Sequence, residues 1–558
     1  MQRPERGADI MELIDGYPEY MLESIKKVEA KRAENLRHTV KDLSEAEREA
    51  VLNEFHPDYR TDTKREVTVG TDKGTIMYNE IVDLIEAHPI LDPEEIDLSE
   101  IDYDVDVLII GGGGAGTVAA IFAHEAGVPL DRILISTKLR HGDANSMMAQ
   151  GGIQAADRDV DSPPIHYLDI YGGGHFTNKP ELAKALAMDA PTIINWHEEL
   201  GVMYDRMENG EFQELSGGGT SRHRMHSCKD YSGMELMRNI RDRARNLAIP
   251  VIEFSPVIEL IMDDKGQVAG GIAYNMETQE YYVIRAKVTI MATGGSGRLH
   301  ISNYATTNHY GATGDGLVMA YHVGANLRDL DTIQIHPTGD AYPEPVVGIL
   351  STEKIRALGA QPVNKEGDPF VWPMEPRDVE SASFIRECNK GMGLETPTGM
   401  RGVWLDTPMI DMIHGEGTTE EKLAGEVRKF RRFDVDMVKH PILVYPTLHY
   451  QNGGVEINEK TETRVPGLLA AGEVTGGVHG KNRLMGNSLL DFNVFGRRAG
   501  LFAAEYVKNV ELGELTLSHL ASYSKALEEE GISSELKAPI ILPEYRGKKA
   551  ISRALDIF

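Results

Sequence analysis

Apolar and polar positions follow three regimes along the 558 residues. From Tyr20 to Val40, Met21, Leu22, Ile25 and Val28 recur at helical spacing with Lys and Glu between them, which predicts a helix over 20–40. Ser44 followed by Glu47 is a capping-box signature, so a second helix is expected from there to about Phe55. Between Leu91 and Asp104 the stretch LDPEEIDLSEIDYD carries seven acids and no base, and reads as a solvated linker. At Val105 the character changes. VDVLII is a β-branched apolar run, followed by GGGGAG, an Ala-rich helix over Thr117–Ala126 and a second strand at Ile133–Ile135. That order is a strand, a glycine loop, a helix and a strand. Two later strands also run into glycines, VTIMATGGSG (288–297) and GLLAAGEVTGG (467–477). Leu330–Tyr445 between them has its own strands and helices. The expected organisation is an acidic, partly helical N-terminal extension (1–104) and a discontinuous α/β domain (105–329 and 446–510). An α+β domain (330–445) is inserted into it, and a short helical tail (511–558) follows. The sequence shows no internal repeat.

Charge narrows the classes. The chain has 58 Lys+Arg against 87 Asp+Glu, a net charge of −29, which makes it a poor general binder of nucleic acid or anionic membrane. Residues 1–104 hold 27 of the acids against 13 bases, so about half of the excess lies there. Cys228 and Cys388 are too few for an iron–sulfur cluster or a structural zinc site, and they suggest no disulfide framework. The start MQRPERGADIMELIDG has charges where a signal peptide needs an apolar core, and no run reaches the ~18 apolar residues of a membrane helix. A soluble, cytoplasmic chain without direct membrane insertion is expected.

Gly111-x-Gly113-x-x-Gly116 lies between a strand and a helix, where a dinucleotide pyrophosphate needs a tight turn, close backbone approach and helix N-terminal N–H donors. The usual acid after the second strand is missing, because Ile135 is followed by Ser136, Thr137 and Lys138. That argues against a plain NAD domain and leaves the ribose to other partners. SRHRMHSC brings His223, His226 and Cys228 close together, but no fourth ligand or second cluster accompanies them, so no metal is expected.

Ten motifs in order carry a resemblance. They are GGGGAG, MAQGGIQAA (148–156), ATGGSG (292–297), TGDG (313–316), HPTG (336–339), STE (351–353), PRD (376–378), TLHY (447–450), AAGE (470–473) and NRLMGNSL (482–489). Over about 103–505 the chain resembles the flavoprotein subunit of the succinate dehydrogenase/fumarate reductase family. The resemblance implies an α/β fold, with a Rossmann-like FAD-binding domain and an inserted capping domain. It assigns the pyrophosphate to the loop of Gly111, Gly113, Gly114 and Gly116, and the second-strand contacts to Ser136 and Lys138. Gly151 and Gly152 would approach the flavin ring, and Asp315 and Glu473 would hold FAD hydroxyls. Ser488 and Leu489 would offer N–H groups to the pyrimidine end. Membrane-bound relatives attach FAD through a His a few residues before the glycine pair. Here Asn145 occupies that place and His141 is four residues too early, so non-covalent FAD is expected. Loss of the covalent bond lowers the flavin potential and favours fumarate reduction.

The family's substrate ligands match His336, Thr352, His449 and Arg483. A C4 dicarboxylate needs cationic or strongly donating groups at both ends of a dry site. The resemblance implies hydride transfer from flavin N5 to the alkene, with Arg377 as general acid and Glu353 and Arg356 as the relay that reprotonates it. After Glu353 the chain departs from the family, with Lys354, Ile355 and Ala357 in place of small residues and Arg-Gly. With no cluster ligands of its own, the chain would take electrons from a separate iron–sulfur protein, as in anaerobic respiration. The runner-up is L-aspartate oxidase, against which Gly217 stands where an acidic residue is expected in the region 217–219. A third reading is an FAD-containing relay or scaffold subunit with a vestigial dicarboxylate site.

Overall fold

The computed structural model describes residues 13–38, 40–533, 535–543 and 545. Helix α1 (Glu19–Asn35) buries Met21, Ile25 and Val28, as the spacing predicts. It ends well before Val40, because the chain turns off to its next anchor, the Leu43 N–H, which donates to Glu375 Oε1 at 2.5 Å. Helix α2 (Glu45–Phe55) carries the full capping box, with Ser44 and Glu47 each satisfying the other's backbone N–H. The stretch 91–104 is not a solvated linker. Leu91 is buried, and Ile96, Leu98 and Ile101 pack with it against Ile258, Ile261, Ile272 and Val283. Its apolar residues are spaced between the acids so that they meet one neighbouring face while most of the carboxylates stay in water.

The larger sheet has eight strands. Strand β1 (Tyr103–Ile110) leads into helix α3 (Gly114–Glu125) and then β2 (Ile133–Ser136). These pair in parallel with each other, with β3 (Val251–Ile252) and with the last strand of an antiparallel set, β4 (Val257–Asp263), β5 (Val268–Tyr274) and β6 (Tyr281–Met291). Leu468–Ala470 lies on the other side of the end of β6. Ile110 is in register with both Met291 and Ser136, so three parallel strands finish at one level and open a crevice at their carboxyl ends.

The second sheet consists of β7 (Gln334–Asp340), β8 (Gln361–Val363), β9 (Arg401–Asp406) and β10 (Ile442–Tyr450), in the order β7-β10-β9-β8 and all antiparallel, with one short strand added at β9. Helix α4 (Arg377–Asn389) packs on it. Its core contains Trp404, Phe384 and Phe430, and also Tyr17, Met21, Ile25 and Val28 from the N-terminus. Val67, Met77, Ile81 and Ile85 lie in the core of the larger sheet instead. The N-terminal segment is therefore built into both cores. Helix α5 (Asn487–Tyr506) returns to the larger sheet against α3. In the tail, Leu515–Thr516 extends the sheet beside β4, and Ser518–Glu529 is a single helix. Among the described residues no helix is long and apolar enough to cross a membrane.

Candidate active site

The crevice is a cavity of about 580 Å³, within the ordinary range of ligand sites. Gly111, Gly113, Gly114, Ser136, Lys138, Asn145, Asp315, Glu473, Ser488 and Leu489 all line it. Gly111 has φ +114°, and a Cβ there or at Gly116 would overlap a backbone carbonyl, Ala292 in one case and Gly111 in the other. Gly116 therefore serves strand–helix packing beneath the loop and does not line the cavity. The first turn of α3 has no side-chain cap, and the Gly114 N–H is held by Ser146 Oγ at 2.9 Å. Such a helix start suits a pyrophosphate. Lys138 Nζ bonds Asp315 Oδ2 at 2.5 Å and Thr313 Oγ1 at 2.7 Å, so two expected ribose-side contacts are already paired with each other. Ser136 spends its hydroxyl on the Ser255 carbonyl. Buried Thr293 Oγ1, Gln150 Oε1 and Arg298 Nε line the same cavity with no partner among the described residues. The glycine cradle, the open helix start and these orphaned groups together fit FAD.

At Asn145, Nδ2 donates to Asn308 Oδ1 (2.7 Å) and Glu473 Oε2 (3.1 Å), while Oδ1 accepts the His309 N–H. Burial raises Glu473 above the usual carboxylate range, against the pull of these donors. His141 does not line the cavity. It bonds Thr117 Oγ1, and burial beside Arg245 and Arg241 pulls it down to about 4. Gly151 lies between Met485 and Thr352 Oγ1, at the junction of the cavity with the next cluster. Gly152 is required for another reason, since its neighbour is the His226 carbonyl on the strand that pairs antiparallel with Ile153–Gln154.

That next cluster gathers His336, Thr352, Glu353, Arg377, His449 and Arg483, all buried except His449, which is partly so. Strands β7 and β10 carry the two histidines, whose ring centroids are 5.0 Å apart. Burial, then Arg377 and the other cations, holds both well below the usual histidine range, so they are neutral. His449 Nδ1 is 2.7 Å from Thr307 Oγ1. His336 Nε2, 3.9 Å from Glu353 Oε2, and the Nε and Nη2 of Arg483 have no hydrogen-bond partner among the described residues. The Arg483 guanidinium lies 4.4 Å over the Tyr450 ring, whose hydroxyl donates to Asp491. Burial and nearby Arg377 weaken its hold on a proton, to about 9.

Arg377 starts α4, where Pro376 precedes it. Its Nε donates to Glu353 Oε2 at 2.7 Å and its Nη1 to Gln334 Oε1 at 2.9 Å. Glu353 also accepts the Gly218 N–H at 2.7 Å and lies 3.4 Å from Arg356 Nη2. Burial alone would raise it, but Arg377 and Arg356 outweigh that and hold it low. Burial lowers Arg377, which makes it a better proton donor than a solvated arginine. The residues that depart from the family build a helical turn, Lys354–Ala357. Lys354 Nζ is tied to Asp205, Ser227 and the Lys229 carbonyl, and Ile355 enters the core, which leaves Arg356 facing Glu353.

Three contributors carry no sequence motif of their own, Gln334, Gly218 and Glu380, and a fourth, Tyr450, ends the TLHY motif without being among the expected ligands. Gln334 precedes His336 by two, the spacing of one strand face, and its Nε2 also bonds the Arg483 carbonyl at 2.6 Å. Glu380 follows Arg377 by three on α4, the spacing of one helix face. The cluster His223–His226–Cys228 does not form. His223 is exposed and Cys228 is buried, its thiol pushed up by burial. His226 instead faces Asp157 (3.1 Å) and Glu214 (3.6 Å), where Arg158 already supplies a cation at 3.0 Å.

Residues 106–489 match the model of the FAD binding domain family. The A subunit of the fumarate reductase (CoM/CoB) of Methanothermobacter marburgensis is 37% identical over 412 residues, 72% of this chain and 73% of that protein. The fumarate reductase flavoprotein subunit of Escherichia coli is 34% identical over 427 residues, 72% of this chain and 68% of that one. Among solved structures, an E. coli quinol fumarate reductase superposes with a TM-score of 0.68 at 32% identity, covering 77% of this chain and 74% of its own.

Proposed function

We propose that this chain, which belongs to the fumarate reductase/succinate dehydrogenase flavoprotein family, reduces fumarate to succinate or runs the reverse reaction. It is an FAD-binding oxidoreductase. Bound FAD supplies or accepts the hydride. A C4 dicarboxylate is taken at one end by Arg483 and His449 and at the other by His336 and Thr352, the substrate ligands expected from the sequence. Neutral histidines and a cationic arginine donate to carboxylate oxygens in a site that excludes water. Their donation strengthens as charge builds on the substrate, so they favour the transition state over the ground state. Arg377 delivers the proton. With Nε on Glu353 and Nη1 on Gln334, its Nη2 is the nitrogen left for the substrate carbon. The carrying observation is this convergence of a doubly held arginine with two neutral histidines and a second arginine beside the cavity.

FAD is held without a covalent bond, since Asn145 stands at the attachment position and His141 faces elsewhere. Electrons come from a separate protein, of the iron–sulfur class, because the two cysteines cannot carry a cluster. The test is fumarate-dependent oxidation of reduced viologen by the purified holoenzyme, followed by acid precipitation. Turnover with flavin in the supernatant is expected. Absent fumarate turnover overturns the function, and aspartate-dependent peroxide formation would replace it with an aspartate oxidase. Flavin retained in the pellet overturns the non-covalent reading and points to His309 or His449, the histidines that line the cavity. Full turnover with NADH as the sole donor would remove the need for a partner protein.

A further inference from the structure

The chain of charges behind Arg377 does not stop at Arg356. Glu380, one turn along α4, is fully buried and accepts a hydrogen bond from Arg356 Nη1 through Oε2. Its other oxygen, Oε1, has no partner among the described residues. Acids and arginines thus alternate as Arg377, Glu353, Arg356 and Glu380, with no water-exposed member. Burial pushes Glu380 well above the usual carboxylate range, against the pull of Arg356 and with Glu353 and Glu375 adding to the rise. Glu375 is buried too, and it connects this end to the surface. Its Oε1 accepts the Leu43 N–H (2.5 Å) and its Oε2 accepts Arg48 Nε (2.8 Å), while the Arg48 side chain is 33% exposed. Both donors belong to the N-terminal segment. Helix α2 packs Val51 and Leu52 over Val379 and Ala382 of α4, closing the site on that side.

We propose that Glu380 is the proton reservoir of the active site, reloaded from solvent past Glu375 and Arg48, with the N-terminal segment forming the gate. The proposal rests on the reading of Arg377 as the general acid. When Arg377 gives its proton to the substrate carbon, Arg356 passes one to Glu353 and Glu353 passes it to Arg377. Glu380 then refills Arg356 and is left as a carboxylate beside a restored cation. One proton has left Glu380 and one C–H bond has formed. A proton from solvent returns the carboxylate to the acid. The groups facing Glu380 are Arg356 and Glu353 from the turn at 353–357, and Glu375 and Arg377 at the start of α4, with Arg48 of α2 behind Glu375.

The test compares Glu380→Gln, Glu380→Asp and Arg377→Ala holoenzymes in the viologen–fumarate assay. Glu380→Gln keeps a carbonyl for Arg356 but has no proton to release. The expected result is a fall in kcat of about tenfold or more at unchanged fumarate KM, below the ~10²–10⁴ of a direct general acid. The wild-type rate should also decline at high pH, as the reservoir empties, and Glu380→Gln should lose that limb. Glu380→Asp should recover part of the rate. A readout independent of turnover is the infrared C=O band of a protonated buried carboxyl, present in the wild type without substrate and lost in Glu380→Gln. Unchanged kcat and pH profile in Glu380→Gln, or no such band, overturns the proposal. If Arg377→Ala abolishes turnover while Glu380→Gln is silent, only the reservoir falls. If Arg377→Ala stays active, the general-acid reading itself falls. Should Glu380→Gln fold poorly, Glu380→Asp and the infrared band still decide.

Discussion

Two acceptors immobilise two of the Arg377 nitrogens while burial and Arg356 loosen its hold on the proton, which is what the proposed general acid requires. Arg377→Lys keeps a charge but not the planar fork, so it cannot reach Glu353 and Gln334 together. Fumarate reduction should fall by about 10²–10⁴, while flavin absorbance stays normal and fumarate binding, followed by the flavin spectrum, changes only a few-fold. Most of this site is legible as motif. His336, Thr352, Glu353, Arg356, Arg377, His449 and Arg483 each stand in short sequence signatures, and they gather at one place. The residues that tune them do not. Gln334 reaches Arg377, 43 residues away, and the Arg483 carbonyl, 149 away; Gly218 reaches Glu353, 135 away; and Tyr450 acts through its ring under Arg483. Nothing local marks such pairings. Glu380 is reachable in principle, at helical spacing from Arg377, but its burial against Arg356 depends on the whole inserted sheet.

At the scale of elements, local signals locate the helices well. The Ser44–Glu47 box starts α2 as expected, because a cap is an interaction within one turn. The stretch 91–104 misleads, because its seven acids dominate composition whereas its four apolar side chains decide where it lies. The tail shows how distant elements clamp each other. Glu259 of β4 is buried, 2.7 Å from His322 Nδ1 and 3.8 Å from His519 of the tail helix. Burial alone would raise Glu259, but the two histidines outweigh it and hold it at about 2. A carboxyl depressed in the folded state adds stability above its unfolded value of 4.5 and loses that contribution as pH falls toward about 2. Glu259→Gln should therefore be less stable than the wild type at neutral pH, with the gap in thermal midpoint closing as the solution is acidified. A gap that stays constant across that range would show that the pair does not carry the linkage.

For the whole molecule, the N-terminal hundred residues change meaning most. Half of the acidic excess is there, yet α1 is part of the second core. Trp404 Nε1 donates to Ser24 Oγ at 2.9 Å, Arg32 Nε bonds Asp406, and Met21, Ile25 and Val28 are fully buried, each worth roughly 1.5–3 kcal/mol. Deleting residues 1–36 should lower the thermal midpoint by several degrees and shift tryptophan emission to the red as Trp404 meets water. Bound FAD should be retained, since its cavity is lined from residue 110 onward. Loss of flavin on deletion would mean that the two cores do not hold independently. By itself the sequence determined the strand–glycine–helix crevice, the cofactor class, the cap of α2 and most of the side chains that gather beside the cavity. Each of these depends on geometry within a few residues or on an ordered motif. Only the tertiary structure decided that the acidic N-terminus is part of both cores, that Lys354 and Ile355 turn away and leave Arg356 facing Glu353, and that Glu380 meets Arg356. Those outcomes turn on which buried surfaces and charges meet across hundreds of residues, where desolvation makes every unpartnered group costly and every partner consequential.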